Sequence, residues 1–292
     1  MKRALVGIIM LLILLQVFVA AVLGTERGSR WIIHQLLPLI PGETSIETIN
    51  GTLLNGIVVT GLRYQEKNNS EDSGTPHKTL LVELDRGFVA LEYQALLRGW
   101  IQLNDLHLSG LMVTLPATAQ DTEITEPFSL PQSLRPPIGI AIVDGELNQF
   151  QLLQAGSSIL DLDHVELQKA RMRWQLNVGR LWLQKDSESI HLEGKMELAS
   201  PYHIDTLIDW QATLPESLES WLGNNDGRGS AAVTGSLKNL NIAHQLNQPQ
   251  RISSDVTLSA FERPILFTMQ HRWDQVIAET PRHGKITLRK GQ

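Results

Sequence analysis

No cysteine occurs in the 292 residues, so disulfides and thiolate metal sites are excluded, and backbone ladders and apolar burial must hold the fold. Aromatic residues are scarce, 5% against 42% hydrophobic overall. The apolar share therefore rests on Leu, Ile and Val in short alternating runs, a composition that favours strands. Basic residues are not in excess either: 25 Lys and Arg against 31 Asp and Glu give a formal charge of −6. Nucleic acid, whose phosphates need a basic face, is thereby excluded as a partner. Long hydrophobic runs are absent with one exception, and that exception decides where the rest of the chain works.

The exception is Ala4 to Leu23, ALVGIIMLLILLQVFVAAVL, which carries no charge. As a helix it would be about 30 Å long, enough to cross the hydrocarbon of a bilayer. Lys2 and Arg3 precede it. The positive-inside bias keeps residues 1–3 in the cytoplasm and sends the body to the far side of a single span. A cleaved signal peptide is the competing reading, but its apolar core is usually shorter and no clean small-x-small site stands between Val19 and Gly24. Both readings export the body.

Next, residues 24–41 contain GSRWIIHQLLPLI, with Ile33, Leu36, Leu37 and Ile40 at helical spacing and Ser29 as the expected N-cap. Pro38 should weaken the last turn and Pro41-Gly42 end it. This short amphipathic helix could plug or pack against the end of a sheet, or lie on the membrane surface with Trp31 at headgroup level. Its polar face lacks the Lys/Arg excess of surface helices, which favours packing.

A first β segment spans 42–115. Gly51, Gly56 and Gly61 punctuate its opening runs as tight turns would. Leu80, Val82 and Leu84 then alternate with Leu81, Glu83 and Asp85, so one face is being buried. Ile101, Leu103, Leu111, Val113 and Leu115 repeat the pattern, and Glu92–Gly99 reads as a helical turn. Residues 116–137 hold five of the thirteen prolines and read as an extended linker. A second β segment, 138–292, opens with two strands around Asp144-Gly145. It continues through runs at Ile159–Leu167, Met172–Val178, Leu181–Gln184, Ile190–Leu198, Tyr202–Leu214, Gly229–Leu246, Arg251–Phe261 and Ile265–Trp273. The run Gly284–Arg289 has just begun when the chain stops, so a truncated segment of something longer is expected.

Chemistry leaves little trace. Nine histidines are present, but no HExxH and no pair at helical ligand spacing. The clusters Asp161, Asp163, His164 and His203, Asp205, Asp209 read as solvated strand positions. Gly156-Ser157-Ser158 is no nucleophile elbow, and Gly227-Arg228-Gly229 has no Lys-Ser/Thr after it to make a phosphate loop. Asn68-Asn69-Ser70 fits a glycosylation sequon by pattern only. No catalytic residue, cofactor or metal ligand is assigned, and no enzyme is expected. What remains is a set of one-sided strands with no large helix to cover them. They could close as a two-sheet sandwich, which pattern alone slightly favours, or curl into one sheet with an open groove. In the second case Leu80, Val82, Leu84, Ile101, Leu103, Leu111, Val113 and Leu115 are the candidate groove lining.

The succession of parts resembles a known family. The anchor, GSRWIIHQLLPLIPG, ETSIETINGTLLNGIVVTGLRYQ and LLVELDRGFVALEYQALLRGWIQLNDLHLSGLMVTLP are similar to the N-terminal part of the TamB family, the inner-membrane subunit of the translocation and assembly module. LDLDHVELQKARMRWQ, IHLEGKMELASPYHIDTLIDWQATLP and GRGSAAVTGSLKNLNIAHQL resemble it too, and AsmA-like proteins and the N component of type II secretion share parts of the pattern. The resemblance implies a mainly β fold: an N-terminal transmembrane helix and a short amphipathic helix, then an elongated, curled antiparallel sheet of repeated short strands, U-shaped, with an apolar groove. It implies a bacterial inner-membrane location with the body in the periplasm. It implies phospholipids as cargo moving between inner and outer membranes, or help in inserting outer-membrane β-barrels and in autotransporter secretion. A component of a secretion apparatus is the remaining alternative. Family members are several times longer, and the C-terminal region that meets an outer-membrane barrel of the Omp85 class has no counterpart here.

Overall fold

The computed structural model describes residues 22–66, 79–116, 131–214, 226–259, 266–280 and 284–291. The expected span lies outside these but for its last two residues, as do Asn68 and residues 117–130 of the expected linker. Among the described residues no helix is long and apolar enough to cross a membrane.

Helix α1 runs Glu26–Leu36 and passes into a 3-10 turn, Leu37–Leu39, where Pro38 removes a helical donor. The cap is Thr25, whose side chain accepts from the Gly28 N–H at 3.2 Å, and not Ser29 as expected. Ser29 has a different task. It is fully buried, donates to the Leu23 carbonyl and accepts from the Leu53 N–H at 2.9 Å. Arg30 adds a bond from Nε to the Ile49 carbonyl at 2.7 Å. These bonds fasten α1 to the first hairpin, while Trp31, Leu36 and Ile40 stay exposed.

Among the described residues fourteen strands follow, hydrogen-bonded in sequence order as one sheet. They are β1 Glu43–Thr52, β2 Gly56–Gln65, β3 Leu81–Leu91, β4 Trp100–Leu115, β5 Gly139–Gln154, β6 Ser157–Met172, β7 Gln175–Lys185, β8 Glu188–Glu197, β9 His203–Thr213, β10 Asp226–Ser236, β11 Asn239–Gln248, β12 Ile252–Ser259, β13 Leu266–Thr280 and β14 Gly284–Gly291. A four-residue helix, α2 (Tyr93–Leu96), joins β3 to β4 where a helical turn was expected. Its Tyr93 hydroxyl donates to the Leu53 carbonyl, and burial raises the Tyr93 pKa above its ordinary value. No second sheet packs on this one among the described residues, so the sandwich arrangement is not found.

Several expected turns are not turns, and the strands are longer than expected. Asp144-Gly145 lies inside β5, a sixteen-residue strand, and neither residue takes the positive φ that a type I′ hairpin needs. Gly51 and Gly61 lie inside β1 and β2, and the turn falls at Leu53–Asn55. The run Met172–Val178 straddles a turn at Arg173-Trp174, and Gly229–Leu246 is two strands around Leu237-Lys238. At Asp144-Gly145, Gly51 and Gly61 the turn signal lost to the length of the neighbouring ladder, because every residue added to a paired strand satisfies backbone groups that a turn would leave to water; in the other two runs a turn interrupts what alternation alone read as one strand.

Contact density divides the chain into two units, Met1–Ala119 with Gly145–Asp161, and Gln120–Asp144 with Leu162–Gln292. In the first unit β1 to β4 form an antiparallel meander. In the second, β6 to β14 do the same. Residues 131–135, expected as free linker, are pinned in this unit. Leu134 N–H donates to the Leu198 carbonyl at 2.8 Å, Ser200 N–H to Gln132 at 3.0 Å, and the Tyr202 hydroxyl to Pro131. Leu198 and Tyr202, 2% and 1% exposed, are the most deeply buried large side chains of the unit.

Candidate functional site

Alternation along each strand and register between strands together decide which side chains share a face. In the first unit Ile46, Leu62, Leu84 and Leu111 form one transverse row, and Ile49, Val59, Gly87 and Leu108 another. Strict alternation would put these two rows on opposite faces. They share one, because a Cβ built on Gly87 would lie 3.0 Å from Leu84 Cδ2 and 3.2 Å from Leu108 Cδ2. Between the rows run Glu47, Gly61, Asp85 and Gly110, and both glycines have left-handed backbone, φ +61 and +67. A Cβ on Gly61 would strike Glu47 and one on Gly110 would strike Asp85, so these positions need glycine on two counts. This seam shifts the alternation by one residue and keeps the apolar side chains together.

The candidate lining residues lie on β3 and β4 or directly beside them. Val82 pairs with Val113, Leu84 with Leu111 and Leu103 with Leu91. Ile101, 37% exposed, and Leu115 lie on β4, and Leu80 precedes β3.

In the second unit four transverse rows cross β8 to β13. One is Ile190, Trp210, Gly229, Leu246, Ile252 and Trp273. A second is Leu192, Ile208, Ala231, His244, Ser254 and His271. A third is Gly194, Thr206, Val233, Ile242, Val256 and Met269, and the last is Met196, Ile204, Gly235, Leu240, Leu258 and Phe267. Of all these only Gly229 and Ser254 are buried, and Ile190 (43%), Met269 (46%) and Phe267 (66%) are plainly exposed. An apolar face of this extent with so little burial is what a binding surface looks like, not a finished core.

The opposite face carries the charge. Arg63 pairs with Glu83 at 3.6 Å and His107 with Glu146 at 3.1 Å in the first unit. Lys195–Asp205 at 3.3 Å, His191–Asp209 at 4.0 Å and Arg272–Asp255 at 2.8 Å follow in the second. Thus Asp205, singled out in the sequence, is spent on a cross-strand ion pair with Lys195, and Asp209 lies across from the His191 ring. Asp163 accepts from the Asp186 N–H at 2.7 Å, and His164 stands edge-on to Trp182. A depression of about 530 Å³ on this face reaches from β8 to β13, with Glu193, Leu207, Asp209, Ala232, Asp255 and Arg272 in its lining. Among the described residues no group of three or more His, Asp or Glu side chains is placed to hold a metal ion.

One set of residues escaped the sequence reading. Trp210 lies across Gly229, where a Cβ would come within 2.7 Å of the indole. It donates from Nε1 to His244 Nε2 at 3.2 Å, with the two rings stacked 10° from parallel. Ser254 and His271 share a hydrogen bond of 2.8 Å beside them. Burial, and then the His271 charge, lower the His244 pKa below its ordinary value. These residues are far apart in sequence and meet only through the register of five strands, so no local signal could have joined them.

Among the described residues each unit is thus antiparallel sheet with an apolar face left uncovered on one side and charged cross-strand pairs on the other. Residues 15–166, just over half of the chain, match the family model described as TamB, N-terminal domain, and the chain belongs to that family. Membership makes it a TamB-related, membrane-associated protein. No curated protein and no solved structure matches the chain.

Proposed function

We propose that this chain is an inner-membrane-anchored, periplasmic component of the translocation and assembly module whose apolar face carries phospholipid acyl chains between the inner and outer membranes. The observation that supports this reading is the uncovered apolar face. Its rows of Leu, Ile and Val ask nothing of a ligand but hydrocarbon, and each CH₂ taken out of water there is worth about 0.8 kcal/mol. Such contacts hold a chain without fixing it, which suits transport. No bond is made or broken in this role, so no catalytic residue is needed. Residues 4–23 supply the membrane anchor in this reading. An Omp85-class outer-membrane barrel would be met by parts other than those described.

A photo-crosslinking amino acid at Leu84 or at Ile208 of the full chain in cells tests the proposal. Phospholipid adducts at both positions are the expected result. Adducts to nascent outer-membrane barrels instead would favour a protein-assembly role, and stable adducts to secretion-platform proteins a place in a secretion apparatus. Adducts to neither lipid nor protein would refute the conduit.

A further inference from the structure

The second row of the second unit is apolar from Leu192 to Ala231 and then turns polar for three strands, at His244, Ser254 and His271. The rows on both sides stay apolar across those same strands: Leu246, Ile252 and Trp273 on one, Ile242, Val256 and Met269 on the other. The polar atoms are therefore an island about one pleat wide, flanked by hydrocarbon roughly 7 Å away in both directions along the strands.

Their hydrogen bonds settle what the island presents. Trp210 Nε1 can only donate, so His244 Nε2 accepts, and the neutral imidazole carries its proton on Nδ1. Between Ser254 Oγ and His271 Nδ1 either atom can donate. If the hydroxyl donates, His271 keeps its proton on Nε2. If the ring donates, the serine hydroxyl hydrogen is free. In both arrangements the pair retains one donor beyond its own bond, and His244 retains another. Asp209 and Asp255, and the cation Arg272, occupy alternate positions on β9, β12 and β13 and form their pairs on the other side. A hydrocarbon chain over the island would leave both donors unsatisfied, at a cost comparable to lost hydrogen bonds.

We propose that His244, Ser254 and His271, braced by Trp210, are a phosphate-recognising step set into the apolar face, taking the phosphate group of an amphiphile whose chains lie on the flanking rows. This inference rests on the conduit reading above and adds to it a point at which the cargo is held by its head. The anion supplies acceptors to the two donors left over, and the chains meet the side chains on either side. Trp210 and Gly229 position His244 and do not touch the ligand.

The test uses the full chain in detergent micelles with two photoactivatable lipids of identical chains, phosphatidic acid and diacylglycerol, and counts adducts on β11 to β13 peptides. For the native chain phosphatidic acid should label about tenfold more than diacylglycerol, the effect of one or two charge-assisted hydrogen bonds. In the pair His244→Leu/His271→Leu that preference should vanish, with phosphatidic acid labelling falling and diacylglycerol labelling rising as the unsatisfied donors are removed. The pair His244→Gln/His271→Gln, which restores N–H donors, should recover part of it. Equal labelling of both lipids by the native chain, or a preference that survives the leucine pair, overturns the inference and leaves the conduit standing. Competition by millimolar inorganic phosphate would make free phosphate the ligand and likewise overturn it. If neither lipid labels the apolar face at all, the conduit reading falls and this inference with it.

Discussion

Truncating two hydrophobes, one in β8 and one just after it, should have very different consequences if the apolar face is uncovered. Leu198 is 2% exposed, held between Trp174 and the 131–135 segment, whereas Ile190 is 43% exposed on the apolar face. Fully burying an aliphatic side chain is worth about 1.5–3 kcal/mol, and only a little over half of Ile190 is out of water. Ile190→Ala should therefore cost about 1 kcal/mol, roughly a fivefold rise in local opening. Leu198→Ala removes a packed side chain and leaves a cavity, for about 3 kcal/mol and a hundredfold rise or more. Native-state hydrogen exchange of the β7 to β9 amides reads both in one experiment, without assuming that so many strands unfold together. If Ile190→Ala accelerated exchange as much as Leu198→Ala, something in the protein would be covering the apolar face, and the reasoning from exposure would be wrong.

Other outcomes follow from single contacts. Gly229→Ala puts a methyl group within 2.7 Å of the Trp210 indole, so it should displace the ring and expose the Trp210 Nε1–H, seen as lost protection of its NMR signal. Ser29→Ala leaves the Leu53 N–H without its acceptor and should cost about 1–3 kcal/mol, detected as faster exchange of the Leu53 amide. Asp205→Asn breaks an exposed ion pair with Lys195 and should change stability by less than about 0.5 kcal/mol in urea titration. His244 has a folded pKa below its ordinary 6.5, so the unfolded chain binds the proton more readily. Its contribution is whole above about 6.5 and drains as pH falls toward the lowered folded value. The urea midpoint should fall over that window, and His244→Leu should flatten the slope.

The strand texture was legible because alternation is local. Val82 and Leu84 against Glu83 declare a one-sided strand to anyone reading three residues at a time, and Pro38 and Glu92–Gly99 mark their breaks the same way. Where the reading failed, a local signal met a longer constraint. Asp144-Gly145 is turn chemistry, but β5 runs straight through it. Ser29 is a good capping residue, but Thr25 begins the helix and Ser29 is drawn inward to serve the hairpin backbone. Gly61 was legible as a turn signal, not as part of a seam that carries Ile46 and Ile49 to one face.

By itself, then, the sequence determined that the chain is β-rich, that its strands are one-sided, and that it belongs with the TamB family, because composition, alternation and the succession of segments are properties of neighbours along the chain. The tertiary structure decided that the strands join one sheet and which side chains share a face. It also decided that His244, Ser254 and His271 interrupt the apolar rows. Register is a relation between strands, accumulated pair by pair, and a shift of one residue anywhere would have sent those groups to the other side.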